Sequence, residues 1–355
     1  MGSGRENNFN ILKFVAAFMV IAGHMAYISG GELPILLGQG VQTIGVKIFF
    51  LIGGYLICKS WMSDPDIIRY AVRRALRIIP ALACYVIIAI LVSGFFLTTL
   101  SAKEFFTHPS TWNYLKNIGL HTEYFLPGVF ADNPYPDAVN GSLWTLPVEV
   151  FMYCMVPVIL SIFGINKKTN KSRNGIIYIT IVVCIIQIVH LKCFPEWRYV
   201  VYGTDVAQAM SLIPYYLIGV MFALIDFRKK MYLQFAAVFM LFLSCFGFDP
   251  VYMELFMYIW LPYFVFSFSI GEKPLFAKLF QKNEISYGIY LYGFFVQQTV
   301  VLIFKKWGVG LNQSFLLVLC MIITCLIALG SYHGIEKPAQ ILSKKIIRIL
   351  QNRER

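Results

Sequence analysis

Apolar stretches of about twenty residues recur along this chain, separated by mostly short polar connections. As a helix, a stretch of this length crosses the hydrocarbon core of a bilayer, which is about 30 Å thick. Only 14% of the 355 residues are charged, whereas an ordinary soluble domain has about a quarter. We therefore predict an all-α, polytopic membrane helix bundle in which residues 1–355 form one domain. The ten predicted transmembrane helices are 9–29, 43–62, 79–100, 142–163, 175–191, 206–226, 231–248, 251–270, 285–305 and 313–334.

The basic residues give the chain a formal net charge of +12, and most of them lie in alternate connections between the predicted spans. Connections rich in Lys and Arg stay on the cytoplasmic side of a membrane. This pattern predicts that both termini are cytoplasmic, that loop 101–141 lies outside, and that residues 339–355 form a basic cytoplasmic tail. Residues 1–5 lack a cleavable signal pattern, so the first apolar run is expected to remain as a helix.

The placement of the charges and cysteines also excludes two kinds of partner. The chain has no basic domain with interleaved aromatic residues, so no nucleic-acid partner is expected. The eight cysteines lie in or beside the apolar runs, with no C-x-x-C motif and no His spacing that suits zinc. We interpret them as small core residues and expect neither a metal ion nor a bound cofactor.

Three ionisable residues, Lys13, His24 and Glu149, lie within predicted spans, where such side chains are costly and point to function. Lys13 and His24 are almost three helical turns apart, so they share one face with an axial separation of roughly 16 Å. His24 and Glu149 lie roughly 8 Å and 10 Å below the outer surface. At matching depths, the imidazole is predicted to act as a general base that the carboxylate orients.

Each of these residues also has a structural interpretation. Lys13 can extend its ammonium group to the cytoplasmic interface, and His24 can be a packing residue. Glu149 is harder to explain structurally, because a carboxylate in a span without a partner is costly.

A cluster of arginines precedes the third predicted span. Arg69, Arg73 and Arg77 recur every four residues and form a helical stripe, with Arg74 beside it. This stripe predicts either an anchor at the cytoplasmic surface or a cradle for phosphate groups, which arginine binds in a bidentate manner. In the second span Gly45, Gly53 and Gly54 predict close helix packing.

Six motifs in order resemble the acyltransferase-3 family of integral membrane O-acyltransferases. The resemblance covers nearly the whole chain, although residues 165–280 match only as generic spans. Three positions depart from the family pattern: Lys13 stands where Arg is common, Gly53 where Ser is frequent, and Gly293 where many relatives have His. The motifs are NFNILK (8–13) with GH (23–24), GVKIFFLIGGYLI (45–57), RRALRIIP (73–80), NGSLWTLPVE (140–149), ISYGIYLY (285–292) and IEKP (335–338).

The resemblance implies transfer of an acyl group, usually acetyl from acetyl-CoA, to a hydroxyl of a cell-surface glycan. Typical acceptors are O-antigen, exopolysaccharide, peptidoglycan or a lipo-oligosaccharide, and the expectation includes a lipid-linked glycan and the modification of lipopolysaccharide. It further implies a multi-pass protein of the bacterial inner (plasma) membrane.

In the mechanism expected from these residues, acyl-CoA enters from the cytoplasm and its phosphates bind to Lys13, Arg69, Arg73, Arg74 and Arg77. His24, oriented by Glu149, then deprotonates the acceptor hydroxyl, which attacks the thioester directly. No G-x-S-x-G motif is present, so a covalent acyl-enzyme is not expected. The candidates for contacting substrate or stabilising the oxyanion are Ser142, Trp144, Tyr287 and Tyr290.

Two other classes of protein stay open at this point. A transporter or flippase would also use ten spans with charged residues inside the membrane. It should contain paired spans interrupted by Gly or Pro in corresponding halves, and none is evident in the sequence. A non-catalytic membrane scaffold is the third alternative.

Overall fold

The computed structural model describes residues 7–164, 170–225, 249–270, 284–310 and 312–353, with a few isolated positions between 232 and 239. In this part of the chain, nine helical segments are long and apolar enough to cross a membrane. This confirms the predicted membrane helix bundle. The predicted span 231–248 lies almost entirely outside the described residues, so the total of ten spans stays a prediction, as does the cytoplasmic placement of both termini.

The elements follow one another along the chain as long helices, joined by short helical turns and two small hairpins. In order they are α1 (Phe9–Ser29), β1 (Ile35–Leu36), β2 (Gln39–Gly40), α2 (Val41–Ser63), α3 (Ile67–Val92), α4 (Ala102–Thr107), α5 (Pro109–Asn113), α6 (Thr145–Ile162), α7 (Asn170–Cys193), β3 (Val200–Val201), β4 (Thr204–Asp205), α8 (Val206–Leu224), α9 (Pro250–Ile270), α10 (Ser286–Lys306), α11 (Gln313–Ser331) and α12 (Lys337–Arg353).

Helix α3 is longer than the apolar run that predicted it. It begins at Ile67 rather than at residue 79, and a π-helical turn extends it over Ser93–Leu97. Asp66 caps its N-terminus by accepting a hydrogen bond from the backbone N–H of Arg69 at 2.7 Å. The whole arginine stripe therefore lies inside the helix.

The C-terminal residues continue the last span without a break. A π-helical turn at Tyr332–Glu336 joins α11 to α12, and α12 packs against α3. The segment predicted as a basic tail is thus helical as far as Arg353. Its cytoplasmic location remains a prediction.

Glycines bring α2 into backbone contact with its neighbours. A Cβ atom on Gly54 would lie 2.0 Å from the carbonyl oxygen of Tyr216 in α8, and one on Gly219 would lie 2.1 Å from that of Leu51 in α2. Gly45 packs in the same way on Ala16 of α1, where the distance would be 2.6 Å. The close packing predicted at Gly45 and Gly54 is confirmed, and small residues serve this purpose widely in membrane helices.

A buried ion pair links α2 to α9, and a tyrosine of α8 contacts the same carboxylate. Lys47 Nζ lies 2.6 Å from Glu254 Oε2, and the two side chains are 3% and 6% exposed. Gln39 donates to the same oxygen at 2.8 Å, and Tyr215 of α8 donates to Oε1 at 2.9 Å. These partners satisfy charges that would otherwise be too costly to bury in a membrane protein.

The long connection between α3 and α6 is folded onto α10. Asn133 donates to the side-chain oxygen of Gln298 at 2.7 Å, and Gln298 donates to the carbonyl of Ala138 at 2.8 Å. Asn140 donates to the carbonyl of Leu291 at 2.9 Å. These bonds fix the segment that leads directly into the Asn140–Glu149 motif.

Candidate functional site

A cavity of about 150 Å³ lies between α2, α3, α6, α8 and α10. Its apolar wall comes mainly from α2, with Phe49, Phe50 and Gly53 among the lining residues. Its polar side brings together residues from four separate parts of the sequence. They are Lys13, Arg74, Arg77, Thr145, Glu149, Tyr153, Glu284, Ser286, Tyr287 and Tyr290.

Three of the five predicted donor-binding cations line this cavity, and two do not. Lys13, Arg74 and Arg77 are part of its wall. Arg69 and Arg73 both pair with Asp64, at 2.8 Å and 2.6 Å. Four residues exceed one helical turn of about 3.6 residues, so each arginine is rotated about the helix axis relative to the one before it. Arg77 therefore points in a different direction from Arg69. The arrangement at Asp64 matches the anchor interpretation for Arg69 and Arg73, whose proposed contact with the donor stays a prediction.

One carboxylate connects two of the cavity cations. Glu284, just before α10, forms salt bridges with Lys13 and with Arg77, whose Nη2 lies 3.1 Å from Glu284 Oε1. Burial opposes ionisation of Glu284, but the charges of Arg77 and Lys13 outweigh it and lower the pKa of the carboxyl to about 2. Arg77 also lies 3.4 Å from Glu336 Oε2, a carboxylate of the closing IEKP motif.

Glu149 faces the same cavity and is held by its own helix. Tyr153, one turn further along α6, donates a hydrogen bond to Glu149 Oε1. The ring of Tyr153 also lies under the guanidinium of Arg74, with a distance of 5.9 Å to the ring centroid. Glu149 therefore belongs to the polar group that contains the cavity cations.

His24 lies elsewhere, against the other part of α10. Its ring packs edge-on against Phe294 with 5.1 Å between the centroids, and it is not among the residues that line the cavity. Among the residues that the structure describes, no hydrogen bond joins His24 to Glu149. The predicted equal depth of His24 and Glu149 gave no information on how α6 is rotated about its axis, and hence on the direction in which Glu149 points. The catalytic roles of both residues stay predictions.

The glycine at position 293 has a packing reason in this chain. A Cβ atom there would lie 3.0 Å from Ile21 Cγ1 of α1. A side chain at this position would require the side chain of Ile21 to move by a few tenths of an ångström.

The four candidates for substrate or oxyanion contacts also divide into two groups. Tyr287 and Tyr290 line the cavity, whereas Ser142 and Trp144 do not. The Ser142 hydroxyl donates to Asn140 Oδ1 at 2.6 Å and is buried. Tyr290 donates to the carbonyl of Ser142 at 2.9 Å and lies 2.5 Å from the hydroxyl of Thr145. Of the four, the two tyrosines are the better-placed candidates.

Three residues that line the cavity, Glu284, Tyr153 and Thr145, are not among the site residues predicted from the sequence. Tyr153 follows Glu149 by four residues, and this spacing on a helix is a signal that could have identified it. Glu284 precedes an apolar run and follows several basic residues, so it reads as part of a connection. Only the fold shows that it reaches Lys13 of α1.

Comparison with known proteins adds an independent line of evidence. A family model described as an acyltransferase domain matches residues 6–333. The chain is 28% identical over 319 residues to an O-acetyl transferase of Shigella phage Sf6, covering 84% of this chain and 86% of the relative. No solved structure matches.

Two further relatives match over shorter regions. Nodulation protein 10 of Rhizobium leguminosarum bv. viciae is 31% identical over 179 residues, or 47% of this chain and 48% of the relative. Peptidoglycan O-acetyltransferase OatA of Listeria monocytogenes is 25% identical over 221 residues, or 57% of this chain and 32% of the relative. Since the family model spans nearly all of the helix bundle, including every residue that lines the cavity, this chain belongs to the acyltransferase-3 family and is a membrane acyltransferase.

Proposed function

We propose that this protein transfers an acetyl group from acetyl-CoA to a hydroxyl of a cell-surface glycan in a bacterial plasma membrane. The observation that carries the proposal is the cavity in which Lys13, Arg74 and Arg77 meet Glu149 inside a membrane bundle. A group of cations inside a bundle of membrane helices is costly and therefore points to a function. Phosphates of an acyl-CoA supply the matching negative charge.

The donor is proposed to bind with its phosphates on Lys13, Arg74 and Arg77. Lys13 contributes a point charge, while each arginine offers a planar set of donors that fits two phosphate oxygens. From Lys13 the pantetheine arm would follow α1 toward His24, over an axial distance of roughly 16 Å. With both termini on the cytoplasmic side, as the loop charges predict, the donor enters from the cytoplasm.

The proposed chemistry is direct acyl transfer. His24 removes the proton from the acceptor hydroxyl, and the oxygen attacks the thioester carbonyl. The C–O bond forms, the C–S bond breaks, and the thiolate of CoA takes the proton back from the imidazolium. The phenols of Tyr287 and Tyr290 are the proposed donors to the oxyanion, because both face the cavity. To serve in this way, each must turn its one hydrogen away from the backbone carbonyl that now accepts it, Ile78 for Tyr287 and Ser142 for Tyr290. Glu149 is proposed to balance the charge of the cavity cations, because it lines the cavity together with Arg74 and Arg77, whereas His24 does not.

The acceptor is proposed to be a glycan such as O-antigen, exopolysaccharide or a lipid-linked sugar. The phage relative is named an O-acetyl transferase and the Listeria relative a peptidoglycan O-acetyltransferase. The connection at 101–141 is folded against α10 and leads into the Asn140–Glu149 motif. It is the proposed surface for the acceptor, on the outer side.

Mass spectrometry of surface polysaccharide tests this function. Cells with the wild-type protein should carry acetyl groups that are missing in cells with His24→Ala or without the protein. Purified protein should then hydrolyse or transfer the thioester only when the acceptor is present, a property that a transporter or scaffold lacks. Normal acetylation by His24→Ala at wild-type protein level would remove His24 from the mechanism. Unchanged polysaccharide in cells without the protein would overturn the proposed function.

A further inference from the structure

The two cations proposed to receive the donor phosphate already hold an anion of the protein itself. Glu284 Oε1 forms salt bridges with both Lys13 and Arg77, and all three residues line the cavity. A carboxylate and a phosphate accept hydrogen bonds from the same donors. Both cannot occupy this position together, because like charges at contact distance repel each other strongly.

The second carboxyl group beside Arg77 differs from the first in its exposure and in its position relative to the cavity. The Glu336 side chain is 1% exposed and does not line the cavity, while the Glu284 side chain is 29% exposed and does. If Glu284 turns away from the cations, Glu336 remains beside Arg77. The guanidinium thus keeps one carboxyl partner, and the position that becomes vacant is the one that faces the cavity.

We propose that Glu284 is an internal competitor of the donor phosphate: its carboxylate occupies the anion site on Lys13 and Arg77 until acyl-CoA displaces it. The inference rests on the proposed function and adds the residue that sets donor affinity. Glu284 keeps the cations ordered in the empty protein, and it weakens the binding of acyl-CoA and of the CoA product alike. Weaker binding of CoA favours its release after the acyl group has been transferred.

Equilibrium binding of CoA to the purified, full-length protein tests the inference. Glu284→Gln keeps the size of the side chain and removes its charge, and it should bind CoA more tightly, by a factor on the order of ten. Glu284→Asp retains the charge and should bind as the wild type does. In acetyl transfer, Glu284→Gln should lower KM without raising kcat, since ground state and transition state gain equally.

Glu196→Gln is the control, because Glu196 is exposed in the connection between α7 and β3 and does not line the cavity. It should leave CoA affinity unchanged. Should Glu284→Gln fail to fold, Glu284→Asn provides a second neutral residue. Unchanged or weaker CoA binding by the folded neutral variant would overturn the inference and leave the proposed function intact. If the wild-type protein does not bind CoA measurably, both the inference and the proposed function are overturned.

Discussion

Tyr153 donates its phenolic hydrogen bond to Glu149 from one turn further along α6, and both residues face the cavity. The bond holds the carboxylate in one orientation within a site that also contains Arg74. Tyr153→Phe removes only the hydroxyl. We expect the kcat for acetyl transfer to fall by about tenfold, because a misdirected carboxylate stabilises the reacting charges less well.

Tyr178→Phe is the control for this change. Tyr178 lies on α7, 67% exposed and outside the cavity, so its loss should leave kcat unaltered. Wild-type kcat in folded Tyr153→Phe would show that the orientation of Glu149 does not matter.

The division of the arginine stripe predicts two different responses to neutralisation. Arg73 pairs with Asp64, whereas Arg77 lines the cavity. Arg77→Gln should weaken CoA binding by about tenfold, while Arg73→Gln should change it less than about twofold. Titration of CoA into the purified variants measures both. Equal weakening in the two variants would restore the whole stripe as a phosphate cradle.

The cluster at Asp64 predicts a dependence of stability on pH. The hydrogen bond from Arg69, assisted by Arg73, lowers the pKa of Asp64 below its ordinary value. Its stabilising contribution is therefore complete above the unfolded pKa of about 3.9 and is lost as the pH falls through the lower folded value. Asp64→Asn should cost about 0.5–1 kcal/mol near neutral pH, because the pair is partly solvated.

Thermal unfolding in detergent at several pH values checks this expectation. The difference in thermal midpoint between the wild type and Asp64→Asn should be constant from neutral pH down to about pH 5. It should shrink below about pH 4. A difference that grows on acidification would contradict the assignment. At each pH, Asp64→Asn should bind CoA with the same affinity as the wild type, since Asp64 does not line the cavity.

The buried pair of Lys47 and Glu254 predicts strong coupling between two positions. Each single change, Lys47→Met or Glu254→Met, leaves the other group without its full set of partners and should cost about 3–5 kcal/mol. Changing both residues together to Met should recover most of that loss. Thermal midpoints of the two single variants and the double variant give the coupling energy, and purely additive losses would refute it.

The sequence predicted the helices well wherever an apolar run ends at a clear boundary. Helix α1 has the predicted bounds, 9–29, and α9 and α10 each differ by one residue. Helix α3 did not follow this rule. Its first turns carry the arginine stripe, so hydropathy assigned them to a connection, whereas Asp66 provides a helix cap at that point. Hydropathy also treated α12 only as a charged tail.

The candidate site was predicted in part, for a reason of geometry. Spacing along α1 and depth in the membrane identified Lys13 and Glu149, which do face one cavity. Neither spacing nor depth reports how far a helix is rotated about its axis, so the contact between Glu149 and His24 was expected and is not found among the described residues. Glu284 was missed because its partners lie more than two hundred residues away.

The reciprocal contact of Gly54 with Tyr216 and of Gly219 with Leu51 has a mechanical consequence. Because backbone touches backbone there, α2 and α8 cannot slide past or roll over each other without collision. The two helices move as a rigid pair, and their side of the cavity is the fixed wall. If acyl-CoA is the donor, as proposed, its admission would then require movement of other helices that line the cavity, among them α3, α6 and α10.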